Sequence, residues 1–290
     1  MTKEEFEFLR AFLKSQSGLV LSEDKTYLVE SRLMPIARRR GLQGLSELIG
    51  VVRTKRDLAL NVEVVEAMTT NESFFFRDVK PFDSLRNAVL PLVVPAIKAA
   101  GGNKLRIWSA ACSSGQEPYS IAMVLKENPA LLEGLSVDIL GTDLSVDILT
   151  KAKAGLYSQF EAQRGLPIKM LMNYFDQVGE QWQIKQEIRS MVRYEATNLL
   201  HDIRKFGTYD IVFCRNVLIY FDPPTKTDVL RRLRAQMPDY GALFLGGAET
   251  VIGVSDQFTT IKGERGVYAA SPGKPAADAV AGETPLSRTA

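Results

Sequence analysis

Hydrophobic residues recur with two different periods along this chain, and the change of period divides it. Thr2 and Glu5, three apart, precede Phe6, Leu9 and Leu13 at helical spacing, the pattern of a capping box that opens a helix in the first residues. Ser22 is placed to cap a second helix, whose apolar side carries Leu28, Leu33, Ile36 and Ala37. Gly41 and Gly44 interrupt the pattern, residues 45–52 resume it, and residues 62–68 are apolar again. This predicts a small all-helical domain over residues 1–76. From Pro81 to about Ala270 short apolar runs alternate with amphipathic stretches, as strands and helices alternate in an open α/β sheet.

Residues 105–125 organise that second part. An apolar run to Trp108 is followed by small residues from Ser109 to Ser114, then Gly115, Glu117, Pro118 and an apolar helix to Leu125. Strand, tight loop and helix follow: Gly115 can take a positive φ, and Pro118 loses nothing in a first helical turn. By itself the loop is more often a plain turn than a nucleotide site. A second strand at 137–143 changes the odds, because it ends in Asp143, where doubly wound folds hold a ribose hydroxyl. No G-x-G-x-x-G is present to cradle a pyrophosphate, so a nucleoside without phosphates fits better. Ser145 can cap a helix over 146–154. About 35 residues then precede the next strand at 191–195, with 170–175 and 181–184 reading as an antiparallel hairpin around Gly179, an insertion at about 157–190. Residues 209–215 form a buried strand, Pro223 and Pro224 open a helix that continues over 226–236, and 242–246 and 266–269 complete the strands. Residues 271–290, rich in Pro, Ala, Gly and Thr, read as a disordered tail.

Five ordered blocks carry a family resemblance: TTNESFFFR (69–77), SAACSSGQEPYSIA (109–122), GTD (141–143), NLL (198–200) and FCRNVLIYFD (213–222). Together, over residues 1 to about 270, they resemble the CheR-type chemotaxis receptor methyltransferases, which esterify receptor glutamates with S-adenosylmethionine. The resemblance implies a Rossmann-like class I methyltransferase sheet over residues 77–270, with a small β insertion and a helical domain before it. It also implies cofactor contacts at Asn71, Ser73, Arg77, Glu117, Asp143, Asn198, Leu199, Arg215 and Asn216, with Arg77 and Tyr220 beside the transferred methyl. In some family members the inserted subdomain grips a receptor tether. Here it is short and lacks a Gly-aromatic-Gly loop, which favours tether-independent recognition. The implied partner is the cytoplasmic domain of a chemoreceptor, and the expected state is a cytosolic monomer.

Composition narrows the chemistry. Among 290 residues the net charge is only +2, so no global field draws the chain to nucleic acid or membrane. Locally, Arg32, Arg38, Arg39, Arg40, Arg53, Lys55 and Arg56 face one acid, Glu47, between residues 31 and 56, a candidate docking patch or simply a solvated face. Cys112 and Cys214 lack metal-ligand spacing and read as reduced, buried thiols. His201 is the single histidine and reads as structural, which excludes chemistry built on several imidazoles. No metal is expected. A carboxylate acceptor needs no general base, because glutamate titrates near about 4.3 and is ionised at neutral pH. Two other readings remain. One is a non-catalytic S-adenosylmethionine-sensing or receptor-binding module. The other, suggested by Asp222-Pro223-Pro224-Thr225, is a nucleic-acid amino-methyltransferase, although that motif follows Asn216 by six residues and lacks its aromatic.

Overall fold

The computed structural model describes residues 1–271, so the expected tail lies, beyond Ser271, outside the described residues. The helical part contains α1 (Lys3–Ser17), α2 (Thr26–Arg39), α3 (Leu45–Thr54) and α4 (Leu58–Met68). The capping box forms as expected: Glu5 N donates to Thr2 Oγ1 at 3.2 Å, and Thr2 N donates to Glu5 Oε2 at 2.6 Å. The second start differs from expectation. Ser22 precedes a 3₁₀ turn, Glu23–Lys25, and its side chain caps nothing. With the α-helix beginning at Thr26, the buried stripe is Val29, Leu33, Ile36 and Ala37, and Leu28 moves to its partly buried flank. Phe6, Leu9, Leu13, Leu48, Ile49, Val64 and Met68 join that stripe in one apolar core.

Helices α5 (Lys80–Ser84) and α6 (Leu90–Ala99) lead into the sheet, joined by a π-turn at Leu85–Val89. Pro91 has no N–H to offer the preceding turn, and the N–H of Leu90 reaches back to the carbonyl of Leu85 instead. Next come β1 (Lys104–Ala110), α7 (Gln116–Glu127), β2 (Ser136–Asp143) and α8 (Val146–Ala154). The insertion follows as β3 (Leu156–Ser158), α9 (Gln159–Gln163), α10 (Ile168–Tyr174), β4 (Phe175–Val178), β5 (Gln181–Ile184) and α11 (Gln186–Arg189). The chain ends with β6 (Val192–Ala196), β7 (Ile211–Cys214), α12 (Pro223–Arg234), β8 (Ala242–Leu245), β9 (Phe258–Thr260) and β10 (Val267–Ala270).

Seven strands form one sheet in the order β6-β2-β1-β7-β8-β10-β9. The first five are parallel, and β10 and β9 close the edge antiparallel. Side chains alternate between two cores across it. Ile107, Ile211 and Phe244 enter one, whereas Trp108, Val212 and Leu243 enter the other. The chain runs outward from β1 to β2 and β6, then crosses to β7 and β8 on the other side. That reversal beside β1 opens a crevice at the carboxyl ends of the strands, the usual ligand position in open α/β sheets.

The insertion makes a separate three-stranded sheet, β3-β5-β4. Its hairpin is real, with Gly179 at φ +60 in the turn, but residues 170–174 are helical rather than extended. Leu171 and Tyr174, three apart, are the buried pair of that helix, and the strand begins only at Phe175. The short strand β9 had no separate signal in the sequence.

Candidate active site

The loop after β1 turns the chain from strand to helix in five residues. Ala111, Ser113 and Gly115 all take left-handed backbone, with φ of 55°, 52° and 90°. Only glycine does so freely, and the two others cost about 1–2 kcal/mol each. At Gly115 space is also decisive: a Cβ there would lie 2.7 Å from the Tyr194 hydroxyl and 3.0 Å from the Ala152 Cβ. The conformation aims polar groups into the crevice. Ser113 N donates to Asp143 Oδ2 at 2.8 Å, and Ser113 Oγ donates to the Asn71 carbonyl at 2.8 Å. Ser145 N donates to the other Asp143 oxygen at 3.1 Å. Asp143 is 6% exposed, and burial raises its carboxyl above the ordinary aspartate range, partly offset by these backbone N–H groups.

Glu117, in the first turn of α7, is the centre of a second network. It accepts from Ser109 Oγ at 2.7 Å and from Arg215 Nη1 at 2.9 Å. Arg215 leaves the end of β7 with its side chain 1% exposed, and its other amino group donates to the Arg77 carbonyl at 2.9 Å and to Asp78 at 2.7 Å. One guanidinium therefore ties the 71–78 segment to the sheet. Its Nε is buried with no hydrogen-bond partner among the described residues.

The helical part supplies the facing wall. Asn198 Nδ2 donates to the Gln16 carbonyl at 2.6 Å, and the Val20 N–H donates to the Tyr220 carbonyl at 2.9 Å. Lys14 pairs with Asp222 at 2.7 Å. Asp222 also caps α12, accepting from Thr225 N at 3.0 Å, so its place before two prolines is accounted for by helix capping. Gly18 packs on the Phe221 ring, which a Cβ would approach to 2.9 Å.

A cleft of about 1150 Å³, counted to its open mouth, lies among these elements. Asn71, Ser73, Arg77, Glu117, Asp143, Asn198, Leu199, Arg215, Asn216 and Tyr220 all line it. Leu199 is also a member of the sheet core on that side. Arg77 donates to the Glu72 carbonyl at 2.8 Å and lies over the Phe74 ring. Phe75 and Phe76, its neighbours, are buried in the sheet core beside Phe82 and Tyr157. Ser17, Leu19, Ser113 and Phe221 line the cleft as well, and sequence reasoning missed them. For Ser113 the small-residue loop was the available signal, while nothing in the first helix marks Ser17 or Leu19. Cys112 lines the cleft too, but burial beside Asp143 and Glu117 pushes its thiol well up, so it stays protonated. Exposed His201 lies outside the lining. Among the described residues no group of histidine, cysteine and carboxylate side chains could hold a metal ion.

Two family models match: the CheR methyltransferase all-alpha domain over residues 4–69, and the CheR methyltransferase SAM binding domain over residues 71–267. The chain belongs to the CheR methyltransferase family. Relatives include a chemotaxis protein methyltransferase of Pseudomonas aeruginosa, 44% identical over 268 residues, which are 91% of this chain and 96% of that protein. One from Pseudomonas putida is 42% identical with the same coverage. A third, from Borreliella burgdorferi, is 34% identical over 87% of this chain and 90% of its own length. As a CheR-family member the protein is an S-adenosylmethionine-dependent methyltransferase of chemotaxis. The cleft fits that cofactor: small residues line it from Ala111 to Ser113, carboxylates stand at Asp143 and Glu117, and the Arg215 Nε, without a partner among the described residues, is a buried donor suited to an anionic group. No helix among the described residues is long and apolar enough to cross a membrane.

Proposed function

We propose that this CheR-family enzyme methylates glutamate side chains on the cytoplasmic helices of chemoreceptors, producing glutamyl methyl esters and S-adenosylhomocysteine in the cytoplasm. The observation that carries this reading is how the ionisable groups of the cleft are occupied. Asp143 is held by backbone N–H groups, Glu117 by Ser109 and Arg215, and Glu72 by Arg164 at 2.7 Å, while the Cys112 thiol is held protonated. Arg77 and Tyr220 are the groups left for an acceptor. A glutamate carboxylate acceptor requires no general base, being already ionised at neutral pH.

The cofactor supplies an electrophilic methyl group on a cationic sulfur. The acceptor oxygen takes that methyl as the carbon–sulfur bond breaks, and no proton moves. The reaction cancels a negative and a positive charge, so a cleft that excludes water favours it. Arg77 orients the acceptor carboxylate. A tight two-point salt bridge would weaken the nucleophile, so its role is alignment, which can supply roughly 7–11 kcal/mol when two reactants are held in line. Tyr220 donates a hydrogen bond at the same end. Asp143 receives the ribose hydroxyls and Glu117 the cofactor's amino group, with Asn71, Ser73, Asn198, Leu199, Arg215 and Asn216 completing the pocket.

Receptor docking falls to a narrower basic surface than the charge count suggested. Arg32 donates to the carbonyls of Met68 and Thr69 at 2.8 and 2.7 Å, Arg39 and Arg40 both bind Glu63, and Arg53 pairs with Glu4 at 3.2 Å. Arg38, Lys55 and Arg56 make no ion pair through their side chains among the described residues, and they are our candidate contacts to an acidic receptor helix. Peptide mass spectrometry of a receptor cytoplasmic fragment after turnover tests the assignment. Methyl increments are expected on glutamates and are expected to form about a hundredfold more slowly with Arg77→Ala; increments on lysine or arginine would overturn it.

A further inference from the structure

Glu249 lies in the loop after β8, outside every block of the family resemblance, and its carboxylate is buried in a residue 8% exposed. It has no ion-pair partner among the described residues. Instead it collects four backbone donors. Oε2 accepts from Asn216 N at 2.8 Å and Gly246 N at 2.6 Å, and Oε1 accepts from Val217 N at 2.9 Å and Ile219 N at 3.2 Å. Three of these belong to the turn that delivers Asn216 and Tyr220 to the cleft. Asn216 sits there in left-handed backbone, φ 59°, and Leu218–Tyr220 is a single 3₁₀ turn, too short to hold itself.

A second observation marks the same point. A Cβ on Gly246 would lie 2.7 Å from Asn216 Nδ2, 2.8 Å from Glu249 Oε2 and 2.9 Å from Asn216 N, so glycine is required for the carboxylate and the turn to meet. A buried anion satisfied only by backbone N–H groups fixes the peptide planes that supply them. Because those planes lead into Tyr220, fixing them also sets where its side chain begins.

We propose that Glu249 is a positioning residue for methyl transfer, its buried carboxylate anchoring the 216–220 turn so that Tyr220 meets the acceptor. This rests on the role given to Tyr220 above. Glu249→Gln keeps the shape but turns one of the two acceptor oxygens into an NH2 donor facing a pair of N–H groups.

The test is a double-mutant cycle with Tyr220→Phe, read as kcat and as the KM for each substrate in the full-length enzyme with a receptor fragment. Glu249→Gln is expected to lower kcat about 30-fold, within the range that slight misplacement costs. In the Tyr220→Phe background the same change is expected to cost about threefold or less, because coupled residues are not additive. The KM for receptor is expected to stay within about twofold, since alignment and not docking is lost. Asp210→Asn serves as the control for general destabilisation. That carboxylate is also buried and accepts from Arg106 N and the Tyr240 hydroxyl, at 2.8 and 3.1 Å, but it precedes β7, away from the cleft. Equal loss of kcat in Asp210→Asn and Glu249→Gln would overturn the proposal. So would an equal Glu249→Gln penalty in both backgrounds while Tyr220→Phe is itself impaired. A fully active Tyr220→Phe would instead remove the role of Tyr220, and the proposal with it. If Glu249→Gln does not fold, Gly246→Ala displaces the same contacts without removing the charge and is expected to reproduce the loss of kcat at unchanged receptor KM; normal turnover in that variant would contradict the proposal.

Discussion

At one end of the cleft, beneath β1 and β2, polar side chains hold one another. Asp143 takes backbone N–H groups from Ser113 and Ser145, and Glu117 joins Ser109 to Arg215. At the other end Arg77 and Tyr220 are held mainly through the backbone: the Arg77 carbonyl by Arg215, and the Tyr220 carbonyl by Val20. A wall whose groups are fixed before a ligand arrives suits a constant ligand, the cofactor. Tyr220 is tethered through its backbone, and the Arg77 guanidinium is held by one backbone carbonyl, that of Glu72, and the Phe74 ring rather than by a carboxylate, which suits the variable acceptor of the proposed reaction. The difference is between a preformed binding surface and a positioned but adjustable one.

Breaking the preformed end is expected to have the largest effect. Asp143→Ala removes the proposed acceptor for the ribose and strands two N–H groups, and about 3 kcal/mol of lost binding corresponds to roughly a hundredfold or greater rise in cofactor Kd. Calorimetric titration with S-adenosylhomocysteine measures it, and a shift below tenfold would place the ribose elsewhere. Arg77→Ala should separate the two ends: turnover falls about a hundredfold, while cofactor Kd changes less than tenfold. Equal loss in both quantities would erase the distinction.

A smaller effect is expected from acid. The buried Asp143 carboxyl has its pKa raised in the folded protein, so its neutral form is favoured there relative to the unfolded chain. Its own contribution to stability is therefore present below the unfolded pKa and lost as pH rises through the folded one. Cofactor binding should run the opposite way, since protonation removes an acceptor. Affinity is expected to fall on acidification at a pH above the ordinary aspartate range, followed by titration at stepped pH. Affinity constant down to that range would remove Asp143 from the site. Asp222 works in the other direction on stability: Lys14 and Thr225 hold its pKa down at about 2, so its contribution is present above the unfolded value and lost as pH falls through about 2. Melting temperatures alone therefore mix the two.

Gly18→Ala should act through the shared wall. Left-handed backbone at φ +77° disfavours a Cβ by about 1–2 kcal/mol, and that Cβ would meet the Phe221 ring. A lower melting temperature with a few-fold rise in KM is expected, and an unchanged protein would show that the wall yields freely. The smallest effect is expected at the rim. Arg38→Glu should raise the receptor KM a few-fold and leave cofactor Kd alone, more so at low salt. Arg39→Glu or Arg40→Glu is a poorer probe, because each also breaks a bond to Glu63.

The two ends differ as well in how far they were legible in sequence. The strand, small-residue loop and helix at 105–125, and the acid closing the second strand, obey local rules of turn chemistry and topology, so the floor of the cleft was readable from spacing alone. Arg77, Tyr220 and Asn216 became candidates only through family resemblance, since three phenylalanines before an arginine otherwise read as packing. Glu249 was invisible because its partners are backbone groups, three of the four about thirty residues away, and backbone donors leave no mark on composition. The pairing of Arg39 and Arg40 with Glu63 was likewise hidden by distance in the chain. Where local pattern misled, short elements were the cause. Residues 170–174 make little more than one helical turn, in which Leu171 and Tyr174 are buried by tertiary packing, and alternation over five residues cannot separate that from a strand.

The most direct test of carboxyl methylation uses methyl-labelled S-adenosylmethionine, the full-length enzyme and a receptor cytoplasmic fragment, followed by mild alkali. Volatile labelled methanol is expected, because a glutamyl methyl ester hydrolyses under those conditions, and Arg77→Ala should lower its rate of release about a hundredfold. Label that enters the receptor but resists alkali would place the methyl on nitrogen and contradict the proposed reaction.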